Sequence, residues 1–339
     1  MWSRSSVALC VLLAACGGSG QLRSTSSPPG DPDVGSSSST AGDPTVPVDS
    51  GGSEPSPSDT ADPTAPVDST PAGVDSGPAA DTTDTGDGPV ARQPDLDPAD
   101  VTLFINLGDS VAAGYDAAGE YGYARLLHAN DDGLAPGYAG ADLVSLAPSV
   151  QLLNLAESGA DSGDILGNLR GASLPPTSGE VVVTISAGGN DFNDDPAIML
   201  ATPLTRAVAT QLRANLAAMV AELRSAYGDP HIYVLDIQDP TDGTGEIPPQ
   251  YDDGMCGVIQ AVPGPLASLG VANLGIVNQA IADEAAAQGV ELVSYHDHFL
   301  GHGLTSSDGW MSGDCAHPTS LGHHHLRALI WWHWTNEWR

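Results

Sequence analysis

From residue 101 onward, short apolar runs alternate with longer stretches in which apolar residues return every three or four positions. The runs are VTLFINL (101–107), VQLLNLA (150–156), VVVTISA (181–187), HIYVLDI (231–237) and VELVSY (290–295). Their length and β-branched content predict five strands. In LTRAVATQLRANLAAMVAELRSAY (204–227), Leu204, Val208, Leu212 and Leu216 recur every four residues and predict one core-facing helical stripe. A second helix, near 273–288, carries Leu274, Val277 and Ile281. Strands that are apolar nearly throughout, with helices between them, imply a parallel sheet covered on both faces. The expected fold is α/β, a three-layer α/β/α sandwich with a central parallel sheet of about five strands. In such sheets functional loops gather beyond the carboxyl ends of the strands.

Upstream of that region the periodicity vanishes. Residues 17–98 are almost entirely Ser, Thr, Pro, Gly, Asp and Ala, and DPTVPVDS (43–50) returns as DPTAPVDS (62–69). Too few large apolar groups are present to offset the entropy of ordering, so this segment reads as a disordered tether. Before it, Arg4 precedes the apolar run VALCVLLAA, which ends in LAAC and resembles a bacterial lipobox. Cys16 would then be lipidated and become the mature N-terminus. An ordinary secretory signal cut nearby is the alternative, and both export the protein. The organisation expected is a signal over 1–15, a linker over 16–98 and a single folded domain over 99–339. That places the domain outside the cytoplasm, on the bacterial cell envelope, at the outer membrane or cell surface. Membrane contact is expected through the anchor alone, and the chain is read as a monomer.

The formal net charge is −33, and all ten basic residues are Arg. Such a field repels phosphate polymers and anionic surfaces, which excludes nucleic acid as a partner. Export also changes the meaning of the cysteines. Cys10 leaves with the signal and Cys16 carries lipid, so Cys256 and Cys315 remain as a pair in an oxidising compartment. A disulfide between them is expected, with two free thiols as the alternative.

The chemistry begins at FINLGDSVAAGY (104–115), where an apolar run meets Gly108-Asp109-Ser110 and then small helix-tolerant residues. Gly108 permits a sharp turn, and Ser110 would emerge at the start of the next helix with its hydroxyl free and backbone N–H groups nearby. Taken alone, Gly-Asp-Ser reads equally as a capped turn. A serine needs a base, and GDCAHPTSLG (313–322) offers Asp314 and His317 three residues apart. That spacing lets the carboxylate reach the near imidazole nitrogen and fix its tautomer. Pro318 biases His317 out of the helical region and suits the first position of the helix that follows. Two further pieces follow strands: Gly159 in NLAESGAD, whose N–H could point into a cleft, and Gly188 with Asn190 in SAGGND, whose carboxamide is a neutral donor.

Gly-Asp-Ser after the first strand, Gly159 after the second, GxND after the third and DxxH near the C-terminus resemble, in that order, the SGNH hydrolases, also called the GDSL esterase/lipase family. The resemblance runs over nearly all of 101–330. It implies a flavodoxin-like three-layer fold and ester hydrolysis through an acyl-enzyme. Ser110 matches the nucleophile, His317 the general base and then acid, and Asp314 the residue that orients His317. The N–H groups of Ser110 and Gly159 and the side chain of Asn190 match the oxyanion hole. Val111 stands where the family name has Leu, a departure that touches packing more than chemistry.

The expected function is an exported serine esterase acting on a small-molecule or polysaccharide ester. A carbohydrate O-acetyl esterase of the same fold and a non-catalytic binding module on a stalk are the alternatives. The insertion at 239–262, DPTDGTGEIPPQYDDGMCGVIQ with its flanks, is expected to wall the acyl or alcohol pocket. No cofactor and no metal are expected, since neither HExxH nor paired CxxC occurs, nor any phosphate-binding or dinucleotide glycine motif. The GxSxG elbow is absent as well. His323, His324 and His325 on one helix would point in three directions, and His296, His298 and His302, though better spaced, belong to neither of those metal motifs. Trp331, Trp332, Trp334 and Trp338 read mostly as a helix packing its aromatics on the sheet.

Overall fold

The computed structural model describes residues 96–117, 121–133, 135–252 and 254–338. The signal segment, Cys16 and the linker up to position 95 lie outside the described residues. Leu96 is buried in the core and Asp97 caps a 3₁₀ turn at Pro98–Asp100, so the packed region includes residues before position 99.

Strands β1 (Val101–Gly108), β2 (Gln151–Asn154), β3 (Glu180–Ser186), β4 (His231–Leu235) and β5 (Glu291–Val293) form one parallel sheet in the order β2-β1-β3-β4-β5. The helices include α1 (Ser110–Ala113), α2 (Tyr123–His128), α3 (Ser162–Gly171), α4 (Gly189–Asn193), α5 (Thr202–Tyr227), α6 (Gly254–Ala261), α7 (Gly264–Gln288) and α8 (Ser320–Thr335). The chain winds one way from β1 to β2 and the other way from β3 to β5. The carboxyl ends of β1 and β3 therefore diverge at a topological switch point, where a crevice opens.

Period-two alternation divides each strand between two cores. Leu103, Ile105 and Leu107 of β1 join Val183, Ile185 and Val234 beneath α3, α5 and α7. Phe104, Val182, Tyr233 and Leu235 face the opposite layer, which includes α2 and α8. The fold is the expected three-layer α/β/α sandwich.

Three local expectations are corrected. The buried residues of α5 are Thr205, Ala209, Leu212, Leu216, Met219, Val220 and Leu223, whereas Leu204 is 43% exposed. A strict four-residue repeat drifts by about 40° per step around a helix of 3.6 residues per turn, so Leu204 and Leu216 cannot share one face. Second, α7 starts at Gly264, well before 273, because its buried residues begin only at Asn273 and its first turns carry no core-facing stripe. Third, Pro318 does not open α8: Thr319 is the N-cap, with Oγ1 accepting from Gly322 N, and Pro318 pairs with Met311 in an antiparallel bridge. Of the tryptophans, Trp331 and Trp334 are buried, and Trp332 and Trp338 are exposed.

Candidate active site

At the end of β1, Gly108 has φ 151°, and a Cβ there would lie 2.5 Å from the Ser186 carbonyl oxygen. Only glycine lets β1 abut β3 while the chain turns into α1. Asp109 caps that helix, with Oδ1 accepting from Val111 N at 3.0 Å and from Ser186 Oγ at 3.0 Å. Below it, Asn106 Nδ2 donates to Ala112 O and to Asn154 Oδ1, both at 2.9 Å. Asn106 Oδ1 accepts from Tyr123 Oη and Thr184 Oγ1. This buried network fixes a one-turn helix that would be marginal alone. Ser110 is thereby held at the first helical position above the sheet.

His317 reaches it from the far end of the chain. His317 Nε2 lies 2.7 Å from Ser110 Oγ, and His317 Nδ1 lies 2.5 Å from Asp314 Oδ2. Asp314 Oδ1 accepts from Ala316 N and His317 N, so the loop folds around its own carboxylate. Burial opposes ionisation of Asp314, yet the His317 ring, the two N–H groups and the nearby imidazole charge bring its pKa down to about 2. The carboxylate is thus charged at neutral pH.

The loop itself is anchored three ways. Ser312 N donates to His317 O at 2.8 Å and Thr319 N to Trp310 O at 2.8 Å, closing a hairpin. Gln238 Nε2 donates to Ala316 O at 2.5 Å. Cys315, in left-handed backbone at φ 65°, is joined by a disulfide to Cys256 of α6, with Cα atoms 5.1 Å apart.

The loops after β2 and β3 supply donors. Glu157 N donates to Gly108 O, drawing the β2 loop against the end of β1. Gly159, at φ 87°, has open space where a Cβ would stand. Asn190 sits in the first turn of α4, and its Nδ2 donates one hydrogen to Ala160 O at 2.9 Å, leaving the other. Asp191 accepts from Ser162 N and Oγ, tying the two loops together. Ser110, Gly159, Asn190 and His317 line one cleft of about 320 Å³. Neither Ser110 N–H nor Gly159 N–H meets an acceptor among the described residues.

Several groups here carry no sequence signal. The Tyr115 ring lies 4.4 Å from the His317 ring, centroid to centroid. His323 Nδ1 accepts from Tyr123 N and Nε2 faces Tyr115 O, so the neutral tautomer with hydrogen on Nε2 satisfies both. Burial lowers its pKa to about 4, which keeps it neutral. Burial raises Asp109 and Asp236, both on the cleft wall, to about 6 each. Tyr295 presents a buried hydroxyl without a partner to the same cleft.

Metal ligation finds less support. Among the described residues, Asp116, Asp314 and His317 form the one cluster of three candidate ligands, and Asp314 and His317 are already bonded to each other. His296 pairs with Asp297 and His302 with Asp308, while His324 and His325 stack on Tyr138 and Trp310. In the acidic insertion, Asp239 is bonded to Thr241 and Gly243, and Asp242 to Gly301 and Gly303. These carboxylates are satisfied by loop N–H and hydroxyl groups rather than gathered around a shared point.

Among solved structures, the extracellular lipase of Streptomyces rimosus is 22% identical, with a TM-score of 0.48 over 68% of this chain and 98% of its own. Phospholipase A1 of Streptomyces albidoflavus is 19% identical, with a TM-score of 0.47 over 68% and 98%. Axe2, an acetylxylan esterase from Geobacillus stearothermophilus, is 17% identical, with a TM-score of 0.44 over 70% and 95%. A search of curated proteins finds no match. The sequence model of the GDSL-like lipase/acylhydrolase family matches residues 107–325, a span that runs from the end of β1 through the Asp314–His317 loop into α8, and the chain belongs to that family.

Proposed function

We propose that this protein is a serine esterase that hydrolyses carboxylic esters through an acyl-enzyme, exported and held at the bacterial cell envelope by lipid on Cys16. The observation that carries the reading is the continuous relay from Ser110 Oγ to His317 Nε2 at 2.7 Å and from His317 Nδ1 to Asp314 Oδ2 at 2.5 Å. A disulfide within the domain suits an oxidising compartment.

The geometry supports each step. His317 Nε2 takes the proton of Ser110 as Oγ attacks the ester carbonyl carbon, and Asp314 stabilises the imidazolium that forms. The carbonyl oxygen becomes an oxyanion facing the N–H groups of Ser110 and Gly159 and the remaining Nδ2 hydrogen of Asn190. When the intermediate collapses, His317 returns the proton to the departing alcohol and the acyl group stays on Ser110. Water then enters, gives its proton to His317 and attacks the acyl carbon. Collapse of the second intermediate returns the proton to Ser110 Oγ and frees the acid.

The test is an assay of nitrophenyl acetate and butyrate with a small fluorophosphonate probe, wild type beside Ser110→Ala. Labelling and turnover should both vanish in the variant while its circular dichroism stays native. Persistent labelling would relocate the nucleophile. A folded wild type that takes neither probe nor ester would favour a binding module.

A further inference from the structure

We infer that the protein prefers esters with acyl chains of about eight to ten carbons, held in an apolar pocket between α6 and α7 beside the catalytic cleft; this rests on the esterase reading above. The pocket has an interior of about 80 Å³, and its walls include Met199, Val258, Ile259, Leu266 and Val271. Asn193, Ile237, Gln238, Met255 and Ala316 line both this pocket and the cleft that holds Ser110, so the two lie side by side and share one wall.

Three observations decide the occupant. The first is chemical: Gln238 donates to Ala316 O, and Asp239 accepts from Thr241 and Gly243, so these wall groups are already committed. A sugar placed here would lose hydrogen bonds to water with little in return, whereas an alkyl chain would lose none. The second is positional. Phe192 and Asn193, which face the pocket, stand two and three residues after Asn190 in α4. An ester carbonyl whose oxygen meets Asn190 therefore sends its carbon chain along α4 into the pocket, leaving the alcohol on the side of His317. The third is length. On α7, Leu266 to Leu274 line the pocket, a rise of about 12 Å. An extended chain advances ~1.2 Å per bond, so about ten carbons fill it.

Gly270 makes the idea testable without damaging the fold. It lies on the pocket wall inside α7, and a Cβ there would meet nothing within 4 Å. Gly270→Leu fills the pocket while replacing a poor helix former with a good one. Gly275, on the same helix but off the pocket, is equally open and gives the matched control Gly275→Leu.

The experiment compares kcat/KM for nitrophenyl esters from two to sixteen acyl carbons, and for acetates of alcohols of rising length. Each methylene buried can contribute up to about fourfold. The wild type should favour the decanoyl over the acetyl ester by about tenfold or more. In Gly270→Leu that ratio should fall by about tenfold with no loss of melting temperature, and in Gly275→Leu it should not change. A wild type that is indifferent to acyl length, a Gly270→Leu profile like the wild type's, or an effect confined to the alcohol series overturns the inference while leaving the esterase reading intact. Absence of fluorophosphonate labelling at Ser110 together with inactivity on every ester would instead overturn the esterase reading itself.

Discussion

Removing the disulfide should separate the working of the site from the survival of the fold. Both cysteines are buried, and the bridge closes a separation of 59 residues. In the chain-entropy model a loop of that length stabilises the folded state by about 4 kcal/mol. For a domain of this size each kcal/mol shifts the melting temperature by about 2–4 °C, so Cys256→Ala with Cys315→Ala should melt ~8–16 °C lower. The site should fail earlier than that. Cys315 stands between Asp314 and His317 in left-handed backbone, a conformation that costs a non-glycine residue about 1–3 kcal/mol and persists only when its surroundings impose it. Without the bridge, Gln238 and the Met311–Pro318 pairing are the anchors that remain described above. A displacement of His317 by about 1 Å costs on the order of a hundredfold in rate. At a temperature where far-UV circular dichroism is still native, kcat on the butyryl ester should therefore be ~10- to 100-fold below wild type. The reasoning is refuted if the variant keeps wild-type kcat up to its own melting transition, or if activity and ellipticity are lost along one curve.

Asn190→Ala should lower kcat by ~10²- to 10³-fold, the range for losing one oxyanion donor. Its stability should fall by only about 1 kcal/mol, for the lost bond to Ala160; a twofold loss of kcat would remove Asn190 from the reaction. Asp314→Asn, which leaves His317 Nδ1 beside an amide, should cost ~10⁴-fold in kcat with an unchanged circular dichroism spectrum. Asp109→Asn should change the pH dependence of stability. The folded pKa of Asp109 is raised by burial to about 6, so its favourable contribution is complete below about 3.8 and is lost as pH rises through about 6. The melting temperature of the variant relative to wild type should consequently be higher at pH 8 than at pH 5, and a pH-independent difference would mean that Asp109 does not titrate there.

What the sequence disclosed was set by range. Strand runs are legible because all but the first one or two residues of β1, β3 and β4 are buried, so the apolar signal is dense and local. Gly108, Ser110, Gly159 and Asn190 are legible for a related reason: each stands within a few residues of a strand end, where chain geometry restricts the residue types allowed. The core-facing stripe of α5 is hidden in the sequence because Thr205 and Ala209, which face the core, are not strong apolar markers, whereas exposed Leu204 is one. The placement of Tyr115 and His323 beside the site is not legible, because it rests on contacts some two hundred positions apart, with His317 and with Tyr115 and Tyr123 respectively.

The same distinction separates what the site does from what it acts on. The relay needs only that α1 follow β1 directly and that the Asp314–His317 hairpin lie over it. A short network through Asn106 and the self-capping Asp314 secures both. The pocket beside it has no such local rule. Its walls come from α4, the loop after β4, α6 and α7, and Met255 and Ala316 meet in it from opposite ends of a disulfide-closed loop. A substitution in any of those segments can change the room offered to an acyl chain without touching Ser110, His317 or Asp314. Specificity in this molecule should therefore respond to residues such as Val258, Leu266 and Gly270 independently of catalysis, and rate and chain-length preference should be separable by mutation.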